Sequence, residues 1–409
     1  MNPRNERLLL LLLAAIQFTI NLDFLIILPL GPQYMRVMHI TPADFNVIVA
    51  SYAIAAGISG IAAGFFLDRF DRKTALLWLY FGFGLGTLFC AMAPSYWLLV
   101  GARAMAGCFG GVTGAVILAI VGDVIPGHRR GAAMGLVMSA FSFASIIGVP
   151  LGLVLASHFS WHVPFYVIAG FSVPVLAAVA RFVPSLRHHQ EHANDQHPVE
   201  RMLAVLVEPN HAMAFVFMAV LTCAGFTIFP TLATYMVYNV GMTEHQLPFI
   251  YLTGGLCTLF SMNLIGRWAD RAGKRRVFIL MSIFAVVPIL SLTNLPRVPL
   301  AVALTTSTLL MICMSGRFVP AMAMMTATVE ARYRGGFMSV NSSVQQFACG
   351  VAAWISGGII GQGVNGEIIR YPIAGFVSVA CVVVCIWLSR FLRPAPGEIP
   401  ASMPIVEAA

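Results

Sequence analysis

Charge is what this 409-residue chain has least of: 10% of its residues are Asp, Glu, Lys or Arg, while 59% are hydrophobic. A soluble domain carries about 25% charged residues, because its surface must be solvated. Soluble enzyme, nucleic-acid binder and disordered chain are therefore excluded as descriptions of the whole. Lysine is nearly absent, Lys73 and Lys274 being the only two, and the net charge of +8 rests on arginines clustered between apolar runs. That placement argues against nucleic acid as a partner. There is no Cys-x-x-Cys and no Cys/His zinc spacing; Cys90, Cys108, Cys223, Cys257, Cys313, Cys349, Cys381 and Cys385 all fall inside apolar runs. Neither a disulfide framework nor a metal site is expected. A Gly-rich phosphate loop and a recognisable nucleophile–base pairing are also missing. The chain is not expected to be an enzyme or to hold a cofactor, and any energy it uses must come from a gradient.

What is present is long apolar sequence. A transmembrane helix needs roughly 20 apolar residues, and such segments run at about 7–32, 44–67, 74–94, 96–121, 131–157, 162–183, 211–238, 245–267, 276–295, 298–326, 335–361 and 371–392. The expected fold is an all-α integral membrane protein with twelve transmembrane helices. Arg4 and Arg7 precede the first run as in a signal peptide, but no small-residue cleavage pattern follows, so it is expected to be a retained helix. The longest hydrophilic stretch divides the chain. A six-helix bundle is expected over 1–183, a linker over 184–209, a second bundle over 210–395 and a tail over 396–409. The linker holds His188, His189, His192 and His197 without Cys or carboxylate at ligand spacing, and solvated linker is the expected role. Of the 24 Arg and Lys, 19 fall in loops on one side, whereas Arg36, Arg297 and Arg370 lie on the other. Positive loops stay in the cytoplasm, which puts both termini and the linker there.

The halves repeat. Gly64-Phe-Phe-Leu-Asp68-Arg69-Phe-Asp71-Arg72-Lys73 returns as Gly266-Arg-Trp-Ala-Asp270-Arg271-Ala-Gly273-Lys274-Arg275, an offset of 202 residues. Arg130-Gly131-Ala-Ala-Met134-Gly135 is echoed by Arg334-Gly335-Gly-Phe-Met338-Ser339 at an offset of 204. Near-constant offsets predict two parallel six-helix pseudo-repeats, an arrangement suited to alternating access around a midplane site.

These residues resemble the major facilitator superfamily. The 64–73 loop is similar to that family's G-x-x-x-D-R-x-G-R-K signature, with Asp71 in place of the usual Gly, and the second copy keeps Gly273. Leu99 to Gly111, with Arg103 and Gly107, resembles the family's helix-4 R-x-x-x-G element. Gly148-Val-Pro150-Leu-Gly152 resembles the G-P-x-x-G motif of drug/proton antiporters, though Val149 separates the Gly from the Pro and Leu153 takes the last Gly position. Leu22-Asp23-Phe24 with Pro29-Leu30-Gly31-Pro32 is similar to bacterial drug- and sugar-efflux permeases. The resemblance implies a proton-coupled exporter of small organic molecules in the bacterial inner membrane, a monomer whose partners are substrate, protons and lipids. A proton symporter or facilitator importing a sugar or organic anion, a lipid flippase and a transporter-like receptor are the alternatives.

Candidate residues follow. Asp68, Arg69, Arg72, Asp270 and Arg271 would gate the cytoplasmic face as a charge latch, and Gly148 and Pro150 would bend helix 5. Asp23 is the only acidic residue well inside a span, and an intramembrane ionisable group marks function by default. If helix 1 ends near Pro32, Asp23 lies roughly 13 Å below the surface and Arg103 roughly 10 Å below it. In the family's fold both helices line the central cavity, so Asp23 would carry the proton and Arg103 modulate it, or the two would form a static pair. Arg317 has no acidic partner in its span. With Gln17, Asn21, Tyr52, Phe141, Phe226, Phe229, Tyr235, Tyr251, Asn341 and Gln345 it forms the candidate substrate-binding set, since pockets combine apolar walls with a few polar groups.

Overall fold

The computed structural model describes residues 3–65, 67, 70–183, 205–330, 333–364 and 366–395. Asp68, Arg69, the four linker histidines and the tail lie outside them. The first half holds α1 (Pro3–Ile26), α2 (Gly31–Met38), α3 (Pro42–Ala63), α4 (Arg72–Met92), α5 (Tyr96–Val124), α6 (Gly127–Phe143), α7 (Val149–His158) and α8 (His162–Phe182). The second holds α9 (Pro209–Phe226), α10 (Phe229–Tyr235), α11 (Leu247–Ala272), α12 (Lys274–Thr293), α13 (Leu300–Thr326), α14 (Arg334–Ile359) and α15 (Tyr371–Leu388). A two-stranded hairpin, β1 (Gly361–Gln362) against β2 (Ile368–Ile369), precedes α15.

Eleven of the helical stretches among the described residues are long and apolar enough to cross a membrane. The twelfth expected span, α14, is 26 residues long. Ser339, Ser342, Ser343, Asn341, Gln345 and Gln346 lower its hydropathy, and α14 lies tightly along α3, a span of the other half.

Three boundaries depart from expectation. The first helix does not end near Pro32. A 3-10 turn over Leu28–Leu30 interrupts it and α2 carries the path on to Met38, because a Pro in the first helical turn loses no hydrogen bond it would otherwise make. The path beyond Asp23 therefore runs fifteen residues to Met38 rather than nine to Pro32. The linker is also shorter than 184–209: Val205 is 2% exposed and joins the apolar cluster of Phe215 and Phe337. Finally, the seventh span breaks at Thr227–Ile228, between α9 and α10.

The two copies of the loop signature turn differently. Gly273 has φ 94°, a conformation that L residues rarely adopt. Asp71 has φ −57°, and its carboxylate accepts from the Thr74 N–H at 3.2 Å to cap α4. A helix cap thus replaces the glycine turn in the first copy.

The halves pack along α3 and α14, where glycines permit close approach. A Cβ on Gly57 would fall 2.7 Å from the Phe347 backbone nitrogen, and one on Gly357 would meet Asn46 at 3.0 Å. At the end remote from Pro3, α10 packs on α2, α3 and the 3-10 turn, and α11 packs on α7. At the other end α6 packs against α1 and α5 of its own half. Phe141 there is 52% exposed, as is Phe260 of α11 at 68%. At the end remote from Pro3 the halves are closed around α2, α7, α10 and α11.

Candidate functional site

The site begins with glycines. A Cβ at Gly148 would lie 2.8 Å from Leu22, and one at Gly152 would lie 2.6 Å from Ile26, so these residues let the fifth span approach α1 on either side of Asp23. A π turn over Ala144–Gly148 leads into α7, with Pro150 in the first turn. On α5, Gly107 and Gly111 face the backbone of α3 at Tyr52 and Ala56. Those contacts bring α1, α3, α4 and α5 together around one carboxylate.

Arg103 Nη1 donates to Asp23 Oδ2 at 2.7 Å and to the Asp23 carbonyl at 3.3 Å. The Thr87 hydroxyl donates to Oδ1 at 3.2 Å. The guanidinium lies over the Tyr52 ring, 4.4 Å from its centroid. Asp23, Thr87, Arg103 and Tyr52 are all fully buried, and no other Asp or Glu among the described residues is buried. An isolated carboxylate in such surroundings is strongly disfavoured, and pairing with a hydrogen-bonded cation offsets much of that cost. Among the described residues Arg103 Nε and Nη2 and the Tyr52 hydroxyl have no nitrogen or oxygen partner, and the Cys90 thiol lies close to the guanidinium.

From this pair an aromatic path crosses to the second half. Phe24 lies 5.4 Å from Tyr52 and 5.9 Å from Phe226, which lies 6.2 Å from Phe229 (ring centroids). Sequence reasoning picked out Tyr52, Phe226 and Phe229 but missed Phe24, whose one signal was its place beside Asp23. It also missed Thr87, a neutral residue in an apolar run with nothing to mark it. Below Asp23 on α1, Gln17 Nε2 donates to Asn21 Oδ1 at 3.2 Å.

The remaining candidates are dispersed. The Tyr235 hydroxyl donates to the Leu295 carbonyl at 3.0 Å, with its ring 4.6 Å from that of Tyr371. Tyr251 is buried on α11. Asn341 is buried with Oδ1 unpartnered, and Gln345 is half-buried one turn along α14. Arg317 is 2% exposed. Its Nη2 donates to the Leu221 carbonyl at 3.4 Å, while Nε and Nη1 have no partner. Of the latch residues described, Arg72 pairs with Asp123 at 3.3 Å, and Asp270 and Arg271 are exposed at the end of α11. Among the described residues no three His, Cys, Asp or Glu side chains come together as metal ligands.

The closed end has its own polar seam. Arg36 of α2 forms an ion pair with Glu244, with Nη2 donating to Oε2 at 3.2 Å. Asn46 Nδ2 donates to Thr231 at 3.4 Å, and the His158 and His245 rings stand 6.1 Å apart. A cavity of about 540 Å³ opens there, lined in part by Gln33, Arg36, Ser157, Trp161, Glu244 and His245.

The family profile described as Major Facilitator Superfamily matches residues 13–229 and 214–405. The uncharacterized MFS-type transporter YwfA of Bacillus subtilis (strain 168) is 27% identical over 93% of this chain and 91% of its own. Multidrug resistance protein 2 of the same organism is 23% identical over 66% of this chain and 69% of its own. Among solved structures, a D-xylose–proton symporter superposes with a TM-score of 0.74 at 15% identity, covering 95% of this chain and 98% of the other.

Proposed function

The chain belongs to the major facilitator superfamily, a family of transporters rather than enzymes, and on that premise we propose that it exports small organic molecules, drug-like compounds or sugars, in exchange for protons. The observation that carries this reading is Asp23, the one buried acid among the described residues, held by Arg103 inside the first half. Arginine placement favours a bacterial inner membrane with both termini in the cytoplasm. In that orientation the end closed by α2, α7, α10 and α11 faces outward. The substrate enters between the halves, against Phe226, Phe229, Gln17, Asn21, Asn341, Gln345 and Arg317. Protonation of Asp23 removes the charge that neutralises Arg103 and releases the 2.7 Å contact. Phe24, adjacent to Asp23, passes that change to Phe226 across the seam. Arg72, Asp270 and Arg271, together with Asp68 and Arg69, would govern closure on the cytoplasmic side.

Efflux direction draws support from the multidrug relative, and the buried acid supports proton coupling. The test is transport by purified protein in proteoliposomes, with an imposed pH gradient and a panel of sugars, dyes and cationic drugs. At least one compound should move against its gradient when the opposite side is acidic. Transport equally fast with the gradient collapsed would remove proton coupling, and accumulation of a sugar in the same direction as protons would make the protein a symporter.

A further inference from the structure

Four tyrosines are fully buried, Tyr34, Tyr52 and Tyr80 in the first half and Tyr371 in the second, and they divide into two kinds. Tyr80 shares a hydrogen bond with Thr19 at 3.1 Å, and Tyr371 donates to the Ile228 carbonyl at 3.0 Å. Tyr34 and Tyr52, both 0% exposed, have hydroxyls with no partner among the described residues. So do Arg103 Nε and Nη2, and Trp161 Nε1, whose residue is 3% exposed. Buried polar groups are almost always satisfied, and where the protein does not do it, ordered water does. These orphaned atoms are not scattered. The Tyr34 and Trp161 rings lie 4.7 Å apart. The Arg103 guanidinium covers the Tyr52 ring at 4.4 Å, and on the α4 side Thr87, which bonds Asp23, lies six residues before Ala93, about 9 Å along a helix, where Ala93 lines a cavity together with Trp161. At its other end the series reaches solvent, because Trp161 lines both cavities at the closed end, of about 540 and 530 Å³.

We propose that buried water molecules link these outer cavities, past Trp161 and Tyr34, to Arg103 and Asp23, and that Asp23 exchanges its proton with the outer solution along this line. The inference rests on the reading of Asp23 as the proton carrier. It adds that the proton path lies inside the first half, whereas the substrate path lies between the halves. Around Asp23 the path is bounded by Arg103, Thr87, Cys90 and Tyr52. At its mouth stand Arg36 and Glu244, which neutralise one another, with His162 and His245. A hydroxyl at position 34 can both accept and donate, which a water chain needs at its narrowest point.

Two measurements test it on the full chain. Hydroxyl radicals generated from water by X-ray radiolysis label side chains beside bound water, and the sites are read by mass spectrometry. Tyr34 and Tyr52 should be labelled well above the equally buried Tyr80 and Tyr371; four equally unlabelled tyrosines would mean a dry interior and end the proposal. In proteoliposomes, Tyr34→Phe should slow gradient-driven transport several-fold, because it removes a hydroxyl that can both accept and donate. Substrate exchange without a gradient should stay at the wild-type rate. Undiminished gradient-driven transport by Tyr34→Phe overturns the route while leaving the carrier intact. Full gradient-driven transport by Asp23→Asn overturns the carrier itself. Should Tyr34→Phe fail to fold, Trp161→Phe removes the N–H at the mouth and is held to the same two rates.

Discussion

Arg103 in the first half meets a carboxylate at 2.7 Å, whereas Arg317 in the second meets only the Leu221 carbonyl at 3.4 Å. Both are nearly or fully buried, on helices that correspond in the repeat. A neutralised cation can be switched by protonating its partner. An unneutralised one keeps two N–H groups and a charge for something that arrives. On the proposed function this contrast divides the labour of the two arginines, with Arg103 serving the proton site and Arg317 the substrate. The signature loops diverge in the same way: the first copy spends Asp71 on a helix cap, and the second keeps Gly273 in a turn with positive φ.

The largest effect expected is at the seam joining the halves. A thiol-cleavable crosslinker joining Arg36→Cys to Glu244→Cys, long enough to replace the two extended side chains, should abolish transport, because it fixes the closed end, and reductive cleavage should restore it. Unchanged transport by the crosslinked protein, shown by mass spectrometry to be fully bridged, would mean that this end need not open.

Next come the two arginines. Arg103→Gln strands a buried carboxylate and should lower stability by about 3–5 kcal/mol, as loss of one partner of a buried pair does. The double variant Asp23→Asn/Arg103→Gln should recover much of that. Arg317→Met breaks no ion pair and removes unsatisfied donors, so its melting temperature should equal or exceed that of the parent, while transport falls. A melting temperature lowered as far as that of Arg103→Gln would erase the distinction between the halves.

A smaller change is expected from Asp71→Ala, which removes the α4 cap and should cost about 1 kcal/mol. Gly273→Ala should cost more than an ordinary Gly→Ala change, since φ 94° suits glycine. Denaturation of both variants decides this pair of expectations. Least of all should follow from changing His188, His189, His192 and His197 together to Gln. Transport should stay within a few-fold of wild type, and a loss accompanied by zinc or nickel dependence in the parent would turn the linker into a metal site.

Much of this was legible in the sequence because membrane spans are written in long apolar runs and the repeat in its offsets. Asp23 and Arg103 could be singled out since each is a rare charge in an apolar run, although the depth argument misjudged helix 1 by missing the continuation through α2. What could not be read was neutral and tertiary. Thr87 and Phe24 look like any other apolar-run residues until helices 1, 3 and 4 are packed. The break at Thr227–Ile228 and the hairpin at Gly361 to Ile369 have no periodic signal, and Tyr235 proved to bond a carbonyl of its own half. Val205 escaped because its apolar run, Met202 to Val207, is only six residues long and is bounded by charged residues, while in the structure it joins the apolar cluster that holds Phe215 and Phe337.

The central claim is that Asp23 carries the proton, and Asp23→Asn tests it most directly, since Asn keeps the size and hydrogen bonding of Asp but cannot take up a proton. Gradient-driven transport and gradient-free substrate exchange should be measured on the same proteoliposomes. The account predicts that the first is lost and the second persists. Wild-type accumulation driven by the pH gradient in Asp23→Asn would contradict it.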